Sequence, residues 1–241
     1  MLLDGKLVLV TGAARRIGRH LSLAVAKAGG DVVIHYGNSQ AEAHDLRDEI
    51  IALGTRAYLL QADLADPSQA AVVIDRACKH GALYALVNNA SIFETLNWDS
   101  TTPEDWNRNL AVNLTAPFLL SQAFARQLPP GKSGRIVNLL DWRAFRPGAD
   151  HLPYTVSKSA LAALTRSLAI ALAPRITVNG LALGAVLPPS QGEAPRNLLA
   201  NVPAGRWGDL DEVSQALIFL LEGPAYITGE VIHLDGGRHL V

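Results

Sequence analysis

Seven short runs of β-branched and aliphatic residues recur along the chain and are largely apolar from end to end. They are "KLVLV" (6–10), "DVVIHY" (31–36), "RAYLLQ" (56–61), "ALYALVN" (82–88), "GRIVNLL" (134–140), "RITVNGL" (175–181) and "EVIHL" (230–234). A strand with one wet face alternates apolar and polar residues, whereas an unbroken apolar run marks a strand covered on both faces. Between these runs lie helical patterns near 17–28, 40–53, 67–80, 103–128, 153–173 and 210–222. Two of them open with Pro behind a capping residue, in "DPSQ" (66–69) and "TPED" (102–105). A regular β–α order of this kind predicts an α/β fold. Its parallel sheet has about seven strands and helices on both faces, and its ligands sit at the strand C-termini.

Residues 1–241 read as a single domain, with no linker, repeat or low-complexity stretch. With 49% hydrophobic residues the chain can bury a large core, and the net charge of −1 carries no footprint for nucleic acid or an anionic membrane. No apolar run reaches the roughly 18–20 residues of a membrane span. The start "MLLDGKLVLVTG" lacks a signal-peptide layout, and Cys78 is the only cysteine, so a reduced, cytoplasmic protein is expected. No metal is expected. The Pro-rich segment "LPPSQGEAP" (187–195) reads as a loop or lid.

The stretch "VLVTGAARRIGRH" joins the first strand to the first helix. Gly12 permits a tight turn and Gly18 lets the helix pack closely, so a pyrophosphate can rest on free helix N–H groups. Arg15 and Arg16 would repel the positive helix end unless an anion were bound there. The second strand ends in His35, Tyr36, Gly37, Asn38 and Ser39, without the acid that commonly holds an NAD ribose. Its donors, with Arg15 nearby, suit a 2′-phosphate, and NADP is the expected cofactor.

The set "TGxxxxxG" (11–18), Asp63, "NNA" (88–90), Asn113, "YxxxK" (154–158) and "ITGEVIHLDGG" (227–237) resembles the short-chain dehydrogenase/reductase family over nearly the whole chain. The resemblance implies a doubly wound, Rossmann-type oxidoreductase. In it Tyr154 exchanges a proton with substrate, Lys158 supports the phenol and reaches the nicotinamide ribose, and Asn113 holds a relay water. It also places Ile17, Leu64, Asn89, Ala90, Ser91, Gly184 and Val186 around the cofactor. An ammonium close to a phenol favours phenolate, and spacing of four puts Tyr154 and Lys158 on one helix face.

Asp141 stands where most of the family carries serine or threonine. A carboxylate there opposes phenolate formation and repels a carbonyl oxygen gaining charge, so it suits a C=N bond whose nitrogen must be protonated. With Arg16 in a glycine slot, "NNASIF" and "HYGNS", Asp141 makes the chain resemble the pteridine reductase branch. There the ring corresponding to Phe93 stacks a pterin on the nicotinamide, while Arg16 and Ser91 contact bicycle or phosphate. Leu183 replaces a common proline, and Asn38 replaces an arginine found in some pteridine reductases. A carbonyl or 3-oxoacyl reductase is the first alternative, and a non-catalytic NADP-binding regulator the second. Helix 153–173 carries Leu161, Leu164, Leu168 and Leu172 with few charges, which predicts a homodimer through it and 103–128. The resemblance implies a homotetramer.

Overall fold

The computed structural model describes residues 3–188 and 199–241, so most of the expected 187–195 loop lies outside the described residues. Seven strands form one parallel sheet in the order β3-β2-β1-β4-β5-β6-β7. They are β1 (Leu7–Val10), β2 (Asp31–Tyr36), β3 (Ala57–Gln61), β4 (Leu83–Asn88), β5 (Gly134–Asp141), β6 (Ile176–Leu183) and β7 (Val231–Leu234). Every residue of β1, β2 and β6 is buried, including the polar Asp31, His35, Thr177 and Asn179. The outermost strand β7 is half-buried throughout. Strand order reverses between β1 and β4, and the crevice at that reversal is where a doubly wound sheet binds its ligand.

The helices are α1 (Arg16–Lys27), α2 (Gln40–Ala52), α3 (Pro67–Cys78), α4 (Pro103–Leu110), α5 (Ala116–Gln127), α6 (Leu152–Leu172) and α7 (Leu210–Glu222). Asp66 caps α3 through Ser68 N, and Thr102 with Asp105 forms a reciprocal capping box on α4. Two large core clusters lie on the two faces of the sheet. One is built around α1, α2 and α7, the other around α3, α5 and the end of α6.

The expected single helix over 103–128 is interrupted. Ala111–Thr115 form a π-helical turn in which Ala116 N donates to Ala111 O, five residues back. Pro117 is the local cause. It has no N–H to return to the Asn113 carbonyl, and its ring crowds that carbonyl, so the α-helical pattern cannot pass through. Asn113 sits on this widened turn.

Candidate active site

The phosphate loop is built by close approach. Gly12 has φ +60, and a Cβ there would lie 2.9 Å from the Ala90 Cα; one on Gly18 would lie 2.2 Å from the Gly12 carbonyl oxygen. Asn89 Nδ2 donates to Thr11 O at 2.8 Å and Gly12 O at 3.1 Å, lacing β4 to the loop. Arg16 holds φ +53, a left-handed conformation that costs a residue with a side chain roughly 1–2 kcal/mol. The arginine therefore keeps the backbone shape of the glycine it replaces. Its Nη2 donates to Pro188 O at 2.7 Å, linking the phosphate loop to the segment after β6. No side chain caps α1 and no acid lies in its first turn, so its N–H groups face the crevice without a competing carboxylate.

The phosphate-loop residues, the end of β2, Asp63, Leu64, Asn89, Ala90, Ser91, Phe93 and Tyr154 line one cleft of about 510 Å³. Gly184 and Val186 are not on its wall; Val186 borders a separate hollow of about 120 Å³. Gly184 serves packing, because a Cβ there would lie 2.6 Å from the Asp235 Cα.

At the end of β2 the structure corrects one expectation. His35 is fully buried, its Nδ1 accepts from Gly12 N at 3.1 Å, and its Nε2 lies 3.2 Å from Ala62 O as donor. Burial lowers its pKa to about 4, so the ring is neutral and both nitrogens are spent inside the protein. His35 clamps the loop and offers no charge to a phosphate. Arg15 remains exposed, 3.7 Å from Glu42, and Ser39 caps α2 without a side-chain hydrogen bond.

The catalytic candidates meet behind Tyr154. Its hydroxyl donates to Asp141 Oδ2 at 3.0 Å, and Asp141 Oδ1 accepts from Arg143 N at 2.8 Å. Lys158 Nζ donates to Leu139 O at 2.7 Å and lies 5.7 Å from the Tyr154 ring centroid. Burial raises the Tyr154 pKa well above 10, and the Asp141 carboxylate pushes it further. The carboxylate thus opposes phenolate, as expected of Asp141, and burial works in the same direction. Burial also raises Asp141 and lowers Lys158 to about 8, the latter offset in part by Asp141.

The Asn113 side chain is spent on its neighbours. Its Oδ1 accepts from Ile92 N and Ser91 Oγ at 2.9 and 3.1 Å, and its Nδ2 donates to Ile92 O and Ser157 Oγ, both at 3.1 Å. The amide is saturated and fixes the loop carrying Ser91 and Phe93. Pro117, four residues on, has no N–H to donate to the Asn113 carbonyl.

Sequence reasoning also missed His151. Its ring stacks on Phe93 with centroids 3.9 Å apart and planes at 14°. It missed as well the C-terminal group His233, Asp235 and His239, whose donor atoms lie within 4.8 Å of one another. Asp235 already accepts from Gly237 N, His239 N and His239 Nδ1, and the three form a clasp on the tail.

A Gly-bounded phosphate loop, an uncapped helix N-terminus and a Tyr–Lys pair at the crevice of a doubly wound sheet define a dinucleotide-dependent oxidoreductase. The chain belongs to the short-chain dehydrogenase family, whose model matches residues 6–198. A 3-oxoacyl-[acyl-carrier-protein] reductase of Synechocystis is 33% identical over 240 residues, 98% of this chain and 97% of its own. The solved structure of FolM alternative dihydrofolate reductase 1 from Brucella canis, complexed with NADP, matches with TM-score 0.93 and 35% identity over 100% of this chain and 96% of that one. A short chain dehydrogenase from Burkholderia cenocepacia in complex with NADP matches with TM-score 0.91 and 37% identity over 99% of both chains.

Proposed function

We propose that the protein is an NADPH-dependent reductase of a pterin or dihydropterin. The observation that carries this reading is the 3.0 Å hydrogen bond from Tyr154 to Asp141. Two similar structures, the Brucella and Burkholderia proteins, contain NADP. The cleft here suits it: free helix N–H groups for the pyrophosphate, and Arg15, Asn38 and Ser39 for the 2′-phosphate. Bound there, the cofactor supplies hydride to a carbon of the substrate.

The chain's own part is proton supply and placement. Reducing C=N to CH–NH requires a proton at nitrogen as hydride arrives at carbon. Tyr154, kept protonated, is the donor, and Asp141, whose carboxyl holds a proton more readily than usual, replenishes or shares it. Lys158, anchored on Leu139 O, keeps a cation near the pair. The Asn113 carbonyl is the station for a water that returns the proton from solvent. Phe93 offers a face on which a flat bicycle gains on the order of 1 kcal/mol beyond area burial. We further propose a homodimer or homotetramer acting in the cytoplasm; among the described residues, no helix is long and apolar enough to cross a membrane.

A 3-oxoacyl reductase is the second reading, favoured by the Synechocystis relative. A carboxylate facing a developing oxyanion counts against it. One assay separates them: NADPH oxidation with dihydropterin, dihydrofolate and 3-oxoacyl substrates side by side. Dihydropterin turnover that Tyr154→Phe abolishes supports the proposal. Efficient ketone turnover with none on pterins overturns it.

A further inference from the structure

His151 is the residue before α6, the helix that carries Tyr154 and Lys158. It holds φ +53, a left-handed conformation that a β-carbon resists by roughly 1–2 kcal/mol. Strain of this kind persists where surrounding contacts impose it. Apart from Asp150 Oδ2, 3.6 Å from the His151 Nε2, and Thr155 N, which donates to the His151 carbonyl, those contacts are directed at the loop bearing Phe93. His151 Nδ1 lies 2.8 Å from Glu94 O and donates to it, and Leu152 N donates to Leu96 O at 2.8 Å. The imidazole lies nearly parallel to the Phe93 ring at 3.9 Å, while Phe93 and Tyr154 meet in a T-shaped pair at 4.6 Å and 79°. Glu94 is pinned from the other side, by Arg108 and by Asn109 Nδ2.

The two rings differ in exposure, and that decides their roles. Phe93 is 55% exposed and lines the cleft, whereas the His151 side chain is 12% exposed and does not. One face of Phe93 is thus backed by imidazole, while the side chain stays exposed at the cleft beside Tyr154. We infer that His151 is a positioning residue for a planar heteroaromatic substrate: it backs Phe93 so that a flat ring stacks on the opposite face, within reach of the Tyr154 hydroxyl. This rests on the proposed function and adds a residue to it. His151 touches neither substrate nor cofactor in this role and acts through Phe93.

The test compares His151→Asn, which tolerates the left-handed backbone but has no ring, with His151→Phe, which keeps a ring and loses the Glu94 bond. Steady-state kinetics with dihydropterin, and NADPH affinity by cofactor fluorescence, are measured on each. Loss of one ring contact corresponds to about a 3- to 10-fold rise in KM for His151→Asn. Turnover number stays within about two-fold and NADPH affinity is unchanged, while His151→Phe returns KM towards the parent value. An unchanged KM in His151→Asn overturns the inference. So does a parallel loss of NADPH affinity, which marks general loosening, or failure of His151→Phe to restore KM. Dihydropterin turnover with any of these results leaves the proposed function standing. No dihydropterin turnover by the unaltered protein removes that function and this inference with it.

Discussion

The hydroxyl of Tyr154 donates to Asp141 Oδ2 at 3.0 Å, so the residue expected to exchange a proton with substrate is bonded first to a carboxylate. Asp141→Asn removes the acid and keeps the side chain's shape. Dihydropterin turnover should fall by about 10²- to 10⁴-fold, the usual scale of a general acid–base contribution, with NADPH affinity retained. Asp141→Ser, which installs a neutral hydroxyl donor, should raise ketone turnover while pterin turnover falls. Removing the negative charge also lowers the Tyr154 pKa, visible as an earlier phenolate step in ultraviolet titration against Tyr154→Phe.

Arg15 lines the cleft together with the end of β2 and remains exposed. Arg15→Ala should lower kcat/KM for NADPH by roughly 10- to 100-fold, the effect of one charge-assisted hydrogen bond, and leave NADH little changed. The parent should prefer NADPH. An equal or better kcat/KM with NADH shows that the β2 end does not read the 2′-phosphate.

Lys158 is buried with a pKa near 8, below its ordinary 10.5. The folded protein therefore binds fewer protons than the unfolded chain between those values, and stability rises with pH across that window. Below pH 8 the full cost of holding the ammonium is present, on the order of 3 kcal/mol at most. Lys158→Met should abolish activity while raising the melting temperature by a few degrees at pH 7, a gain that shrinks above pH 8. Thermal scans at pH 7 and 9.5 check both the sign and the window.

Ile170 on α6 is 82% exposed, and Val156 and Phe118 on α6 and α5 are 37% and 38% exposed. Such apolar faces need cover beyond the sheet. Light scattering at micromolar concentration should give a dimer or tetramer, and Ile170→Asp should shift it towards monomer. A monomeric parent contradicts the assembly.

The order of strands and helices was legible in the sequence because hydrophobic periodicity is local, and the observed strand and helix ranges differ from the predicted ones mainly at their ends. The phosphate loop and the Tyr154–Lys158 spacing were legible for the same reason: each is a short-range pattern whose geometry follows from one turn or one helix. The break at Asn113 had a local signal as well, in Pro117 four residues on. What tertiary structure alone decided are the states that depend on partners distant in sequence. His35 looked like a phosphate donor until Gly12 and Ala62, from other elements, took both its nitrogens. That Asp141 opposes a Tyr154 phenolate was legible from residue type, whereas the burial that raises the phenol further came only with the fold. Phe93 and His151 are 58 positions apart, and only the packing of the loop after β4 against the start of α6 turns them into one stacked pair. Backbone pattern is written along the chain, whereas charge state and side-chain vacancy are set by which groups burial brings together.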